Sequence, residues 1–487
     1  MENITSKRGR EVDYFSLILS VLFFVNIFFG IVIIFFERRN SGATWAWLMV
    51  LVFLPIVGFV LYLIFGKNLS RKKMFKWVGK EKIGIKEQIT DQIESIKQGT
   101  FPFQHDDCST RKEQIYMHLV DDGALFTEDN EVKIFTDGRE KFDALLHDIE
   151  QATNHVHIQY YIIREDGLGR RLVEALTNKA KQGVETKLLY DYMGSRKITS
   201  SFFKAYREAG GRTEAFFPYL HLNYRNHRKL VIIDGAIGYV GGFNVGDEYL
   251  GLDPKFGYWR DTHLRTEGKI VHALQTRFIL DWNQASRRNK LTYQPRFFPD
   301  PQPAGNVSAQ IVSSGPDTEQ QQIKNGYVKM IFSAKQYVYL QTPYFIPDDT
   351  LLDALKIAAL SGVDTRIMIP NKPDHPFVYW ATLSNAGELL KAGVKVYLYE
   401  KGFIHAKMVV ADDAIASVGT ANIDPRSFRL NFEVNAFLYD GETASALRKT
   451  FEDDMLDSKE LTVEDYENRS MFTKFKESVS RLLSPIL

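Results

Sequence analysis

The fold is decided by one stretch that occurs twice in the chain, His227-Arg228-Lys229-Leu230-Val231-Ile232-Ile233-Asp234 and His405-Ala406-Lys407-Met408-Val409-Val410-Ala411-Asp412. Both copies follow the pattern H-x-K-x4-D. Six residues after each aspartate stands a tetrapeptide that begins with glycine and ends with asparagine, Gly241-Gly242-Phe243-Asn244 and Gly419-Thr420-Ala421-Asn422. One copy would be a weak signal, since three fixed positions recur by accident. Two extended copies indicate a duplicated unit.

The duplication extends to the segments that precede the motifs. Apolar, aromatic-rich runs at 157–162 and 339–346 are typical of buried strands. Helix-like stretches follow at 172–182 and 351–361, each closed by Gly-Val, and further strands are predicted at 186–190 and 365–369. Strand, helix and strand in each half predict an α/β fold in which a largely parallel sheet is covered by helices.

The spacing within the motif has a chemical meaning. Residues two apart on an extended segment face the same side, so His227 projects with Lys229, and His405 with Lys407. Two imidazoles and two ammonium groups are what a covalent phosphodiester exchange requires. A pair of structural histidines is the alternative, but burying two ammonium groups without an anion costs several kcal/mol each. The repeated lysines therefore favour a site for an anionic ligand.

The acidic residues fall into two groups. Asp234 and Asp412 each lie about 20 Å of extended chain from their histidine, so they are expected to cap the turn to the next strand. A nucleophilic or acidic imidazole also needs an acceptor at its second ring nitrogen. Asp261 and Glu433 follow the two motifs at comparable distances, and we assign them to orient the imidazoles.

These motifs resemble the phospholipase D superfamily and, along the whole chain, its bacterial cardiolipin synthase branch. The resemblance implies two similar lobes, each a mixed sheet flanked by helices, related by a pseudo-twofold axis. It implies one active site at their interface, in which each later carboxylate orients the histidine of the opposite half. Neither a metal nor a cofactor is implied. The matching catalytic and phosphate-binding positions are His227, Lys229, Asp234, His405, Lys407 and Asp412, with Lys229, Lys407, Asn244 and Asn422 on the phosphate.

One departure from the family pattern concerns the tetrapeptides. The position often filled by serine or threonine is Thr420 in the second half but Gly242 in the first. A hydroxyl contact to the site is therefore left open for the first half.

The implied reaction is phosphatidyl transfer between two phosphatidylglycerol molecules, giving cardiolipin and glycerol through a phosphatidyl-histidine. The alternative is a membrane-anchored phospholipase D that hydrolyses or transphosphatidylates other phospholipids. A phosphatidylserine-forming transferase and a nuclease or lipid-binding scaffold are further rivals. The formal net charge of +1 disfavours a nucleic-acid partner, which usually requires a basic face. The oligomeric state is left open.

The N-terminal region predicts a membrane anchor. Residues 14–36 and 43–65 are uncharged runs of 23 residues each, long enough for transmembrane helices. The connection at 37–42 allows only a tight hairpin. Lysines and arginines flank the pair on both far sides, which favours a cytoplasmic location for both termini and the catalytic lobes. We therefore expect a multi-pass protein of the bacterial cell membrane.

The remaining features set the domain boundaries. We expect a transmembrane hairpin at 1–67, a charged connector at 68–110, a first phospholipase D-like lobe at 111–296, a proline-rich linker at 297–307, and a second lobe with a C-terminal helix at 308–487. Cys108 is the only cysteine, so an intrachain disulfide is excluded. His155 and His157 have strand spacing but no accompanying ligand cluster, which favours structural histidines over a metal site.

Overall fold

The structure is a computed structural model that describes residues 14, 16–18, 20–31, 41–65, 85–199, 201–217, 223–372 and 374–483. These residues form two compact units, the helices up to residue 65 and an α/β body that begins at residue 85. Each unit is described by itself.

In the N-terminal unit, residues 20–31 are helical, followed by α1 (Ser41–Phe53) and α2 (Pro55–Phe65). The stretch predicted as a single span at 43–65 is interrupted at Leu54, because Pro55 lacks an N–H and disfavours helical geometry in the residue before it. Asn26 donates a hydrogen bond to the Leu51 carbonyl at 3.1 Å. Within the described ranges, no helix combines the length and apolarity needed to cross a membrane. Residues 15, 19 and 32–36 of the other predicted span lie outside those ranges.

The α/β body is organised around one continuous sheet. Its strands in chain order are β1 (Thr127–Phe135), β2 (His155–Tyr160), β3 (Glu185–Asp191), β4 (Arg212–Phe216), β5 (Arg225–Asn226), β6 (Leu230–Ile233), β7 (Ile237–Gly241), β8 (Tyr258–Arg260), β9 (His263–Glu267), β10 (Val307–Ser314), β11 (Tyr337–Gln341), β12 (Asp364–Pro370), β13 (Lys395–Tyr399), β14 (Gly402–Ile404), β15 (Met408–Ala411), β16 (Ile415–Gly419), β17 (Asn431–Leu438) and β18 (Ser458–Leu461).

The strand order repeats in the two halves of this sheet. The first half runs β1-β9-β7-β6-β2-β3-β4, and the second runs β10-β17-β16-β15-β11-β12-β13 with β18 at its edge. Antiparallel pairing of β1 with β10 joins them. The two lobes therefore correspond to two halves of this sheet with the same strand order.

The predicted largely parallel sheet is only partly correct. Strands β2, β3 and β4 pair in parallel, as do β11, β12 and β13. The motif strands β6 and β15 and their neighbours β7, β9, β16 and β17 pair antiparallel. The tight turn after each motif requires antiparallel pairing of β6 with β7 and of β15 with β16, because a short connection can join only antiparallel strands. Each lobe is thus a mixed sheet.

The helices of the body cover both faces of the sheet. They are α3 (Ile85–Gln98), α4 (Asp106–Thr110), α5 (Lys112–Asp122), α6 (Gly138–Gln151), α7 (Gly167–Lys181), α8 (Lys204–Glu208), α9 (Ile270–Ala285), α10 (Gln322–Ser333), α11 (Asp349–Leu360), α12 (Pro376–Leu390), α13 (Pro425–Arg429), α14 (Gly441–Leu456), α15 (Val463–Glu467) and α16 (Met471–Leu483).

Three hydrophobic cores result from this arrangement. One is continuous across both lobes and includes Trp282 of α9 and Phe451 of α14. The others lie under α6 and α7 in the first lobe and under α10 to α12 in the second. Helix α5 contributes Ile115 and Leu119 to the second-lobe core, although it precedes the first lobe in the chain.

The C-terminal helix α16 packs on α12. Among its described side chains, Glu477 and Ser480 are buried, whereas Phe472 and Phe475 are 66% and 65% exposed. Glu477 forms an ion pair with Arg469 at 2.8 Å. Its polar side therefore faces the second lobe.

Candidate active site

The two motif histidines lie at matching edges of the two sheets. His227 immediately precedes β6, whose Leu230 pairs with Gln159 at the carboxyl end of β2. His405 immediately precedes β15, whose Met408 pairs with Gln341 at the carboxyl end of β11. The repeated strand order thus places each histidine just beyond a central strand, where open α/β sheets commonly bind ligands.

Two short ladders join the lobes at this edge. Strand β5 pairs in parallel with β17, and β14 pairs in parallel with β8. The backbone N–H of His227 donates to the Phe432 carbonyl at 3.0 Å, and that of His405 donates to the Arg260 carbonyl at 2.7 Å. Phe432 and Arg260 each stand one residue before a predicted His-orienting carboxylate. Each motif histidine is therefore held beside the segment of the opposite lobe that carries its carboxylate.

Each imidazole is paired with a carboxylate of the other lobe. Nδ1 of His227 lies 2.9 Å from Oε2 of Glu433, and Nδ1 of His405 lies 2.6 Å from Oδ2 of Asp261. Both carboxylates are fully buried. A carboxylate beside Nδ1 stabilises the imidazole tautomer in which Nδ1 carries the proton. The other ring nitrogen, Nε2, is then available to react with substrate.

Burial sets the charge of the two imidazoles. It lowers the pKa of His227 to about 4, with Lys229 acting in the same direction and Glu433 opposing them. Burial and Lys407 lower the pKa of His405 to about 3 against the opposing effect of Asp261. Both imidazoles are therefore neutral near pH 7 in the free enzyme. A neutral Nε2 has the lone pair that a nucleophile needs.

The two motif lysines are buried beside their histidines. Lys229 Nζ donates to the His227 carbonyl at 2.6 Å, and Lys407 Nζ donates to the His405 carbonyl. Burial lowers the pKa of Lys229 to about 7, with Glu433 opposing and Lys407 adding to the shift. Burial also lowers the pKa of Lys407 to about 8, opposed by Asp261. The site therefore gathers cationic groups from both lobes, which a bound anion would stabilise.

The two motif aspartates lie away from the imidazoles. Asp234 is in the turn after β6, at the opposite end of that strand from His227, and accepts backbone N–H groups of Thr153, Asn154 and His155 at 2.8 Å each. Asp412 accepts those of residues 335–337 at 2.8 to 3.0 Å. Both aspartates therefore tie the motif hairpin to the start of the neighbouring strand, β2 in the first lobe and β11 in the second. The motif includes Asp234 and Asp412 together with the catalytic residues because these aspartates hold the hairpin in place.

The motif asparagines lie just after β7 and β16. Asn244 Oδ1 accepts the N–H of Ile162 at 3.1 Å, and its Nδ2 donates to Tyr249 at 3.3 Å. Asn422 is buried, and its backbone N–H donates to Ser427 Oγ at 3.1 Å. Asn244 thus shapes the loop after β2, and phosphate binding by either asparagine stays a prediction.

The position that departs from the family pattern contacts the carboxylates. Thr420 Oγ1 donates to Glu433 Oε2 at 2.5 Å. In the first lobe, a Cβ on Gly242 would lie 1.9 Å from Oδ1 of Asp261, so the carboxylate fills the space of a side chain. At this tetrapeptide position, a hydroxyl therefore contacts the carboxylate that pairs with His227, whereas the corresponding position beside Asp261 is a glycine without a side chain.

Sequence reasoning missed two buried arginines behind the carboxylates. Arg228, the variable residue of the first motif, donates to the Glu433 carbonyl at 3.0 Å, and Arg260 donates to the Asp261 carbonyl. Both side chains are buried. The sequence signal that could have revealed these arginines was a charged residue next to apolar, strand-like segments, because a buried charge needs a buried partner.

His155 and His157 lie toward the amino end of β2, away from the motif histidines beyond its carboxyl end. Both are buried, and Gln275 bridges them through hydrogen bonds of 2.9 and 3.0 Å. Among the residues that the structure describes, no three His, Cys, Asp or Glu side chains are grouped to hold a metal ion.

The comparisons with known proteins agree with this geometry. The family described as "Cardiolipin synthase, PLD-like domain" matches residues 145–282 and 327–455, and the "Phospholipase_D-nuclease N-terminal" family matches 18–67. The chain is 60% identical over 478 residues to the major cardiolipin synthase ClsA of Bacillus subtilis (strain 168), covering 97% of this chain and 99% of that one. It is 59% identical over 476 residues to a cardiolipin synthase of Listeria welshimeri, covering 96% and 99%.

A solved structure shares the fold. Phosphatidylserine synthase of Haemophilus influenzae Rd KW20 superposes with a TM-score of 0.57 at 14% identity, covering 72% of this chain and 92% of that one. Together with the two cross-lobe histidine–carboxylate pairs, the family match over more than half of the residues and the near full-length relatives lead to one conclusion. The chain belongs to the bacterial cardiolipin synthases of the phospholipase D superfamily.

Proposed function

We propose that this chain is a cardiolipin synthase that transfers the phosphatidyl group of one phosphatidylglycerol to the glycerol hydroxyl of a second. Glycerol leaves and cardiolipin forms. The observation that carries the proposal is the pair of buried histidines, each held at Nδ1 by a carboxylate of the opposite lobe. Two imidazoles so prepared can act on opposite sides of one phosphorus.

In the first step, Nε2 of His227 attacks the phosphorus and forms a P–N bond. The P–O bond to the headgroup glycerol breaks, and its oxygen takes the bonding electrons and a proton from Nε2 of His405. His405, which is neutral in the free enzyme, gains that proton as substrate binds, because the phosphodiester anion raises the pKa of a neighbouring imidazole. Glu433 stabilises the positive charge that develops on the phosphorylated ring.

In the second step, Nε2 of His405 accepts the proton of the incoming glycerol hydroxyl. That oxygen forms a P–O bond as the P–N bond to His227 breaks, which restores both imidazoles. One phosphodiester replaces another, so the exchange is reversible and close to energetically neutral. The charges of Lys229 and Lys407 offset the charge of the non-bridging oxygens in both steps, and Asn244 and Asn422 are proposed to assist them.

The N-terminal segments are proposed to anchor this chemistry at the membrane. Residues 14–36 and 43–65 form the hairpin, and the two lobes, related by a pseudo-twofold axis, lie on the cytoplasmic side. The uncharged length of both segments and the flanking lysines and arginines support this. The proposed boundaries are 1–67, 68–110, 111–296, 297–307 and 308–487. A membrane location concentrates lipid hydroxyls over water at the acceptor step.

Lipid product analysis tests the function. Full-length protein supplied with vesicles of phosphatidylglycerol alone is expected to give cardiolipin and glycerol in equal amounts by mass spectrometry. His227→Ala and His405→Ala should abolish both products, whereas His147→Ala, a histidine on α6 outside the site, should not. Phosphatidic acid as the main product would favour the alternative, a membrane-anchored phospholipase D.

A further inference from the structure

Behind the Glu433–His227 pair lies a buried group of polar side chains. Arg228 donates to both carboxylate oxygens of Asp281 at 2.8 and 2.9 Å, and its Nε donates to the backbone carbonyl of Glu433 at 3.0 Å. Gln159 donates to Asp281 at 2.7 Å. Asp281 and Gln159 belong to the first lobe, which also carries His227. The group therefore fixes where the second-lobe strand bearing Glu433 stands relative to that histidine.

Behind the Asp261–His405 pair lies a second group that repeats the arginine, aspartate and glutamine, although Asp281 of the first group also pairs with Arg277 at 2.7 Å. Arg260 reaches both oxygens of Asp454 at 2.9 and 2.8 Å, and its NH1 donates to the backbone carbonyl of Asp261. Gln341 donates to Asp454 at 2.8 Å. Asp454 and Gln341 belong to the second lobe, which carries His405. Each histidine is thus backed by an aspartate and a glutamine of its own lobe.

The two guanidinium groups reach these matching places from different points in the chain. Arg228 is the middle residue of the first motif, where the second motif has Ala406. Arg260 precedes its carboxylate residue, where the second lobe has Phe432. The contact recurs although the chain position does not. Packing alone does not require a guanidinium, since Ala406 and Phe432 fill the corresponding positions with apolar groups.

The burial of both groups makes the arrangement rigid. The side chains of Arg228 and Asp281 are 2% and 0% exposed, and those of Arg260 and Asp454 are 3% and 11% exposed. Burial favours an ion pair only when good geometry and further hydrogen bonds offset the desolvation of both charges. A planar guanidinium held by two bonds to a carboxylate directs its remaining N–H groups in fixed directions. Here the remaining N–H groups of Arg228 and Arg260 donate to the backbone carbonyls of Glu433 and Asp261, the residues whose side chains orient the histidines.

We infer that Asp281 and Asp454 are positioning residues, each of which sets one histidine through its arginine and the carboxylate of the opposite lobe. Asp281 acts through Arg228 and Glu433 on His227, the nucleophile. Asp454 acts through Arg260 and Asp261 on His405, which protonates the leaving group. The separate effects on the two steps rest on the function proposed above.

Leaving-group chemistry separates these two roles. In a phosphatidyl ester of 4-nitrophenol, the P–O bond breaks to give a stable phenolate that needs no proton. Full-length Asp281→Asn and Asp454→Asn variants should both lose about 100-fold in kcat with phosphatidylglycerol, because a small misplacement of a reacting group has that effect. With the nitrophenyl ester, the rate of nitrophenolate release in the first turnover, measured with enzyme in excess, should lie within about threefold of wild type for Asp454→Asn, whereas Asp281→Asn should stay slow.

Controls separate positioning from folding. Asp148→Asn disturbs an Arg–Asp pair of the first lobe, 2.7 Å to Arg265, that does not reach either histidine, and it should change neither substrate's kcat. Gln341→Leu weakens the hold on Asp454 without leaving a guanidinium unpaired, so it gives a milder form of the same selective recovery if Asp454→Asn does not fold.

Equal losses in kcat with phosphatidylglycerol and in the first-turnover rate of nitrophenolate release, or both rates within about threefold of wild type for Asp281→Asn and Asp454→Asn, would overturn the inference. Recovery of Asp281→Asn in place of Asp454→Asn would keep the positioning roles and exchange the two histidines. Nitrophenolate release in the first turnover does not depend on the lipid acceptor. A wild-type enzyme that makes no cardiolipin but shows the selective recovery would therefore refute the proposed function and leave the positioning inference standing.

Discussion

Replacing Glu433 by glutamine removes one negative charge and keeps the shape of the site. Oε2 of Glu433 lies 2.9 Å from Nδ1 of His227. The phosphorylated imidazole is cationic, and two unit charges at that separation interact by about 6 kcal/mol at an effective dielectric constant of about 20. The amide oxygen of glutamine retains a hydrogen bond and about half of this stabilisation. A loss of about 3 kcal/mol corresponds to a decrease of roughly 100-fold to 1000-fold in the rate of the first step.

Single-turnover release of glycerol from phosphatidylglycerol measures that step. Glu433→Gln should also stay slow with a nitrophenyl leaving group, because the defect lies in the nucleophile. Glu452→Gln, at an ion pair with Arg448 on the outside of the second lobe, is the matched control and should behave as wild type. A Glu433→Gln rate within about threefold of wild type would refute the assigned role of the cross-lobe carboxylate.

Three further predictions concern the lysines, the glycine and the hairpin aspartate. kcat/KM should fall as the pH rises through about 7 to 8, because Lys229 and Lys407 lose their protons in the free enzyme. kcat should fall only at higher pH, because the bound phosphodiester raises the pKa of both lysines. Identical pH profiles for kcat/KM and kcat would contradict this. Gly242→Ala should lower kcat about tenfold or more by displacing Asp261, and unchanged kcat would show that the space is not needed. Asp412→Asn should lower the free energy of unfolding by about 2 kcal/mol in denaturant titration, since charge-assisted bonds are lost, and unchanged unfolding would contradict its hairpin role.

The duplicated pattern predicted much of the local design. Period-two spacing indicated that each lysine accompanies its histidine, and the distance along an extended segment indicated that Asp234 and Asp412 stand apart from them. The resemblance supplied the pairing of each histidine with a carboxylate of the other half. These features follow from neighbouring residues or from a recognised motif, so one sequence is enough to infer them.

Other features depend on contacts between distant segments. Arg260 and Asp454 are 194 positions apart, and no periodicity links them. The antiparallel pairing of β6 and β7 was implied by the tight turn, but the strand–helix–strand order suggested parallel neighbours more strongly. The break at Leu54 was signalled by Pro55, yet hydropathy alone joined both sides of it into one span. In each case the choice is made by packing or by a single backbone constraint that composition does not weigh.

The most direct test of the shared two-lobe site is to identify the residue that carries the phosphatidyl group. In full-length His405→Ala supplied with the nitrophenyl ester, His227 can still attack, but no base activates the acceptor, so the adduct should accumulate. Alkaline quenching and peptide mass spectrometry are expected to place the phosphatidyl group on His227. An adduct on any other residue, or none despite nitrophenolate release, would contradict the account.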